Sequence, residues 1–272
     1  MKKRIGLIAH QIDKRDLIDW VKYNEHILRD HDLYATSEAR NEIENRTGLN
    51  VNKKIRLNLN DVYSIDVKFK ESSKGGDQEL ASMMISGGLD YLIYFWNPMS
   101  KDSHDEDTKA VLRQSVNYNI PIACNKNTAD HIISSRLFDP SKPKGPKDLS
   151  SRIALVAHDG KKEELLEWVK KNKEYFNGKE MFATGTTGGI IEENTGLPVY
   201  RMKSGPDGGD IQISSLISNN ILDYLFFFWD PNQAQPHDVD VKALLRTTVY
   251  YNVPTACNVN TADHIINSEL FR

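Results

Sequence analysis

The chain is written twice, and this limits the folds open to it more than any other feature. "NYNIPIACNKNTADHIISSRLF" at Asn117–Phe138 returns as "YYNVPTACNVNTADHIINSELF" at Tyr250–Phe271, with sixteen of those twenty-two positions identical. Shorter matches keep the same order: "IGLIAH" with "IALVAH", "YLIYFWNP" with "YLFFFWDP", "HDEDTKAVLR" with "HDVDVKALLR". A chain of 272 residues is long enough for two domains of ordinary size, each burying its own core. The spacing between matched positions shortens between Gly48 and Gly75, so the N-terminal copy carries an insertion within "LNVNKKIRLNLNDVYSIDVKFKESSK". Between the copies, the Pro, Lys and Ser of "DPSKPKGPKDLSS" mark a linker. The expected division is a domain at 1–138, a linker at 139–151 and a second domain at 152–272.

Each copy alternates strand and helix patterns. In the second, "IALVAH" reads as a short buried strand, and "KKEELLEWVKKNKEYF" carries Leu, Trp, Val and Phe at helical spacing. "MFAT" reads as a strand, followed by a Gly-Thr turn and the helix "GIIEEN"; "PVYRM" is a third strand and "IQISSLISNN" a helix. "LDYLFFFW", the most apolar run, is expected at the centre of the sheet. The helix "DVKALLRTTVYYN", the strand "PTACN" and the helix "TADHIINS" complete the copy. The expected class is α/β: two tandem three-layer domains, each with a mainly parallel sheet and helices on both faces.

The formal net charge of -3 offers no electrostatic attraction to nucleic acid or to an anionic membrane. No apolar run approaches a membrane span, and "MKKRIGLIAHQIDKRD" turns polar too soon for a signal peptide, so a cytoplasmic protein is expected. Cys124 and Cys257 are one position seen twice, expected as small buried residues at a strand end; they form neither a disulfide framework nor metal-ligand spacing.

Polar residues of the second copy collect at the expected carboxyl ends of its strands, where open parallel sheets bind ligands. They are "HDGKK", "TGTTGG", "SGPDGGD" and "WDPNQAQPHDVD". "TGTTGG" suits phosphate, because glycines admit an anion to backbone N–H groups and threonines add hydroxyl donors; Thr and Gly also cap helices that bind nothing. Lys162 could supply a cation or be a solvated helix lysine. Asp210 is either an N-cap or a general base that removes a carbon-bound proton. His237 either helps start a helix capped by Asp238 or Asp240, or polarises a substrate oxygen. Taken singly each residue favours the plainer alternative, whereas four such loops at four strand ends favour a site.

Together, "AHDGKK", "ATGTTGG", "SGPDGGD", "FFWDP", "PHDVDVKALLR" and "NVPTACNVNTADHII" resemble the methylglyoxal synthase family over nearly all of Arg152–Phe271. That family turns dihydroxyacetone phosphate into methylglyoxal and inorganic phosphate, with neither metal nor organic cofactor. The resemblance implies that Asp210 is the base that yields an enediolate and that His237 assists proton movement at the substrate oxygens. It implies that His158, Asp159 and Asp240 position substrate and base, with Asp230 in support. Lys162, Thr184, Gly185, Thr186, Thr187, Ser204 and Gly205 would hold the phosphate. The family commonly forms homohexamers, so two fused copies imply a trimer acting as a pseudo-hexamer.

The first copy departs from this pattern. "ATGTTG" becomes "ATSEAR", with Glu38 at the place of Thr186; Gln11 replaces Asp159, Asn97 replaces Asp230, and Glu71 and Ser72 replace Ser204 and Gly205. His10, Lys14, Asp77, His104 and Asp107 are kept. A carboxylate at Glu38 would repel phosphate, so the first copy is expected to have lost the anion, with Asp77 left as a helix cap. The competing function is a phospho-ligand sensor of the same fold, which would need no base.

Overall fold

The computed structural model describes residues 2–9, 14–52, 54–58, 64–71, 74–96, 105–145, 150–233 and 238–272, with backbone alone for 54–58, 64–67, 105–108 and 238–242. The first repeat contains β1 (Arg4–Ala9), α1 (Lys14–Tyr23), α2 (Glu25–Leu28), β2 (Asp32–Ala35), α3 (Ser37–Arg46), β3 (Val51–Asn52), β4 (Lys54–Asn58) and β5 (Ser64–Lys68). It continues through α4 (Gly76–Ile85), β6 (Tyr91–Phe95), α5 (Asp105–Asn117), β7 (Ile122–Ala123) and α6 (Lys126–Ile133). The second contains β8 (Arg152–Ala157), α7 (Lys162–Lys171), α8 (Lys173–Phe176), β9 (Glu180–Ala183), α9 (Gly185–Thr195) and β10 (Tyr200–Arg201). It closes with α10 (Gly209–Ser218), β11 (Tyr224–Phe228), α11 (Asp238–Tyr250), β12 (Thr255–Ala256) and α12 (Val259–Ile266).

Two five-stranded sheets have the orders β3-β2-β1-β6-β7 and β10-β9-β8-β11-β12, and every pairing in them is parallel. The α/β expectation holds. The insertion in the first copy forms a separate antiparallel hairpin, β4 with β5, registered Lys54↔Lys68 through Asn58↔Ser64.

Alternation along β8 and β11 builds two cores in the second repeat. Ile153, Leu155, Tyr224, Phe226 and Phe228 face one side with Leu165, Trp168 and Val169 of α7, Ile191 of α9 and Ile265 of α12. Ala154, Val156, Leu225 and Phe227 face the other with Ile213 and Ile217 of α10 and Leu244 of α11. Each fully buried Phe contributes about 1.5–3 kcal/mol by leaving water. The centre of the sheet is β8, not the "LDYLFFFW" strand. Strand β11 is the more apolar because bulky rings fill both of its faces, whereas β8 uses smaller alanines and branched aliphatics at the middle. The long expected helix also breaks at Asn172, whose side-chain amide donates to the Trp168 carbonyl and ends α7.

The compact units divide at Lys126/Asn127, ahead of the repeat boundary, so α6 packs as part of the second unit. Within that unit, the Arg136 N–H donates to Asn267 O (3.0 Å) and the Glu269 N–H to Ser134 O (3.2 Å), about an antiparallel Ser135–Ser268 bridge. The stretch expected as linker is held there too: Lys142 pairs with Glu269 at 3.2 Å, and Lys144 pairs with Glu174 at 3.3 Å. Cys257 is buried and Cys124 half-buried, each just after a short strand, and burial pushes the Cys124 thiol up to about 12. Among the described residues no helix is long and apolar enough to cross a membrane.

Candidate active site

Three neighbouring strands of the second repeat, β8, β9 and β10, each lead to an extended residue that starts a helical turn. These are His158 (φ −65°, ψ 159°), Thr184 (φ −63°, ψ 148°) and Ser204 (φ −65°, ψ 159°). None of the three side chains caps its own helix. The turns that follow therefore present backbone N–H groups that helical bonding does not use.

The structure moves the start of α9 forward. Sequence patterning places a Gly-Thr turn ahead of "GIIEEN", but the helix already begins at Gly185, with Thr184 as its N-cap. Its glycines serve close packing: a Cβ at Gly188 would lie 3.2 Å from Arg201 Cγ, and one at Gly185 would lie 3.1 Å from the Met202 carbonyl. The Gly185 N–H donates to Lys203 O at 3.0 Å, tying the second crossover to the third. Thr184 and Thr187 are buried and share a hydroxyl–hydroxyl bond of 3.3 Å, while Thr186 is exposed. The contribution of Lys203, made by its backbone, whose carbonyl accepts from Gly185 and whose N–H donates to Gln212 Oε1 (2.7 Å), carries no sequence signal.

Ser204 opens a 3-10 turn, Gly205–Asp207, and its hydroxyl donates to Asp207. Gly208 then takes φ +93°, a conformation that side chains resist, and Gly209 lies so close to Lys203 that a Cβ would overlap its carbonyl oxygen. Asp210 follows, 2 % exposed, as the second residue of α10. It is not an N-cap, since Gly208 occupies that position. The same correction applies to Asp77, which lies second in α4 behind Gly75 (φ +97°) and is 1 % exposed.

His158 and Asp230 meet at the ends of β8 and β11. The Asp230 N–H donates to His158 Nδ1 at 3.2 Å, which places the proton of a neutral ring on Nε2. A Cβ at Gly160 would stand 2.8 Å from Asp230 Oδ2, so this glycine, which sequence reasoning passed over, makes room for the carboxylate. Lys162 Nζ lies 2.5 Å from Asp159 Oδ1; the lysine side chain is 19 % exposed and the aspartate 82 %. Asp240 lies in α11, where backbone alone is described, and His237 lies outside the described residues. Among the described residues no cluster of His, Cys, Asp and Glu is placed to hold a metal ion.

In the first repeat, Lys14 Nζ lies 2.5 Å from Glu38 Oε2. Thr36 takes the N-cap position of α3 as Thr184 takes that of α9, and the Ser37 N–H donates to Lys70 O (2.9 Å) as Gly185 does to Lys203. Thr187 is replaced by Ala39, and the buried Thr36 Oγ1 has no hydrogen-bond partner among the described residues.

Parallel sheets covered on both faces, with polar side chains gathered where the strands end, define a tandem doubly wound α/β protein. The chain belongs to the methylglyoxal synthase family: the MGS-like domain matches residues 16–124 and again 164–257, once in each repeat. Methylglyoxal synthase of Leptospira interrogans serovar copenhageni is 57% identical over 120 residues, which are 44% of this chain and 81% of that protein. Methylglyoxal synthase of Coxiella burnetii strain RSA 493 is 52% identical over 120 residues, 44% of this chain and 84% of that protein. A crystal structure of methylglyoxal synthase from Elizabethkingia anophelis is 49% identical over 46% of this chain and 80% of its own, with a TM-score of 0.43.

Proposed function

We propose that the second repeat converts dihydroxyacetone phosphate to methylglyoxal and inorganic phosphate. The Asp210 carboxylate takes a carbon-bound proton beside the carbonyl, and the C–H electron pair becomes the double bond of an enediolate. The C–O bond to phosphate then breaks, inorganic phosphate leaves with that electron pair, and the remaining enol ketonises to methylglyoxal. His158, with its proton on Nε2, and His237 serve the substrate oxygens; Asp240 and Asp159 position substrate and base, and Asp230 orients His158. Lys162, Thr184, Thr186, Thr187, Ser204 and Gly205 hold the phosphate, where donors aimed at developing charge lower the barrier most, and Gly185, its N–H taken by the Lys203 carbonyl, leaves room for the anion.

The observation that supports this reading most directly is Asp210 itself, a carboxylate 2 % exposed behind two glycines that no side chain could replace without strain or overlap. Asp77 is equally buried in the first repeat, so what favours an enzyme over a sensor is Asp210 joined to the "TGTTGG" and "SGP" turns that only the second repeat has. The reading extends to a cytoplasmic protein that works as a trimer of pseudo-hexameric design, with no metal or organic cofactor. Its test is a product assay with dihydroxyacetone phosphate on wild type and Asp210→Asn. Methylglyoxal from the first and almost none from the second is expected; equal activity removes Asp210 from the role of base, and no product from wild type leaves the sensor.

A further inference from the structure

The first repeat has not simply lost its anion site. Lys14 and Lys162 open equivalent helices and are equally sheltered, at 18 % and 19 % exposure, yet their acidic partners differ. Lys162 pairs with Asp159, three residues earlier on its own loop and largely in solvent. In the first repeat that acid is Gln11, and Lys14 pairs instead with Glu38, the second residue of α3 and 29 % exposed. The acid has moved from the rim to the helix N-terminus. There a carboxylate satisfies both the lysine ammonium and the positive end of α3, the two attractions that a bound phosphate would satisfy. The crossover geometry around it is kept, as the equivalent Ser37–Lys70 and Gly185–Lys203 bonds record. A second feature also points to a ligand site: Thr36 Oγ1 is fully buried at the N-cap of α3 without a partner among the described residues, because Ala39 lacks the hydroxyl that Thr187 offers Thr184.

We propose that the first repeat holds a latent anion site filled by its own Glu38 carboxylate, an internal ligand in the place of phosphate. The Lys14–Glu38 pair keeps the pocket neutral and closed, so the two repeats differ in occupancy more than in architecture. The proposal rests on the reading that the equivalent pocket of the second repeat takes phosphate.

The test is calorimetric titration of the full chain with inorganic phosphate, on wild type, Glu38→Gln, and the double variant Glu38→Thr with Ala39→Thr. One equivalent is expected for wild type and two for each variant; adding Lys14→Met to the double variant should return it to one. Thermal unfolding is read in parallel: without phosphate both variants melt below wild type, and phosphate should raise their melting temperatures by more than it raises that of wild type. Two equivalents in wild type, or no gain of an equivalent by either folded variant, overturns the proposal. Wild type with no equivalent, alongside variants that gain one, would instead remove phosphate binding from the second repeat and leave the latent site standing.

Discussion

Copying the defect of the first repeat into the second gives the sharpest test of the phosphate clamp. Thr186 and Glu38 are both the second residue of their helices, so Thr186→Glu should reach Lys162 as Glu38 reaches Lys14, at 2.5 Å. The new carboxylate would draw Lys162 away from the phosphate and add a like charge beside it. Two unit charges about 5 Å apart repel by about 3 kcal/mol at an effective dielectric constant of about 20. Thr186 is exposed, so solvent and salt leave about 2 kcal/mol of this. At 1.36 kcal/mol per decade that is about a 30-fold loss in kcat/KM for dihydroxyacetone phosphate. Steady-state kinetics and phosphate titration should show the same loss, while Thr186→Ser changes little. A loss in Thr186→Glu of less than about threefold, well under 1 kcal/mol, would refute the argument.

Asp210→Asn should lower methylglyoxal formation by about 10²- to 10⁴-fold, the span of a lost general base, with circular dichroism unchanged. Asp77→Asn should leave turnover at the wild-type rate, because the first repeat lacks the phosphate loop; a large loss would give that repeat a part in the chemistry. Gly209→Ala should lower stability by about 1–3 kcal/mol, read as a fall in denaturant midpoint, because its Cβ overlaps the Lys203 carbonyl. Burial lowers the His131 imidazole to about 4 from 6.5, against the bond from its Nδ1–H to the Asn127 carbonyl at 2.7 Å. The unfolded chain therefore takes up this proton first as pH falls. The stability is complete above pH 6.5 and is lost progressively down to about pH 4, by about 3 kcal/mol in all; His131→Gln should flatten that slope in acid titrations of unfolding.

Much of the fold is legible because its signals are local and stated twice. The apolar runs of β1, β6, β8 and β11 set the sheets, and the spacing of Leu165, Trp168 and Val169 sets a helix against one of them. The hairpin β4–β5 also has a local signal: Ile55 and Leu57, then Ile65 and Val67, alternate with polar residues on either side of "NDVY". The start of α9 was hidden because Gly and Thr usually argue against helix, and here tertiary packing against Val199 and Arg201 overrides that preference. At the site, residue types and strand-end positions were readable. The pairing of Lys14 with Glu38 was not, because it joins two crossovers that only the sheet brings together.

The bridge between Ser135 and Ser268 also dictates an order of events during synthesis. Ser134 Oγ and Ser268 Oγ are 2.7 Å apart and 134 residues distant along the chain. Closing so long a loop is slow, and neither strand of the bridge has its partner until Ser268 has left the ribosome. Until then the turn after α6, made early, lacks the pairing that Ser134 and Ser135 make with Ser268 in the finished protein. How late the second copy is translated thus sets how long that turn waits for its partner.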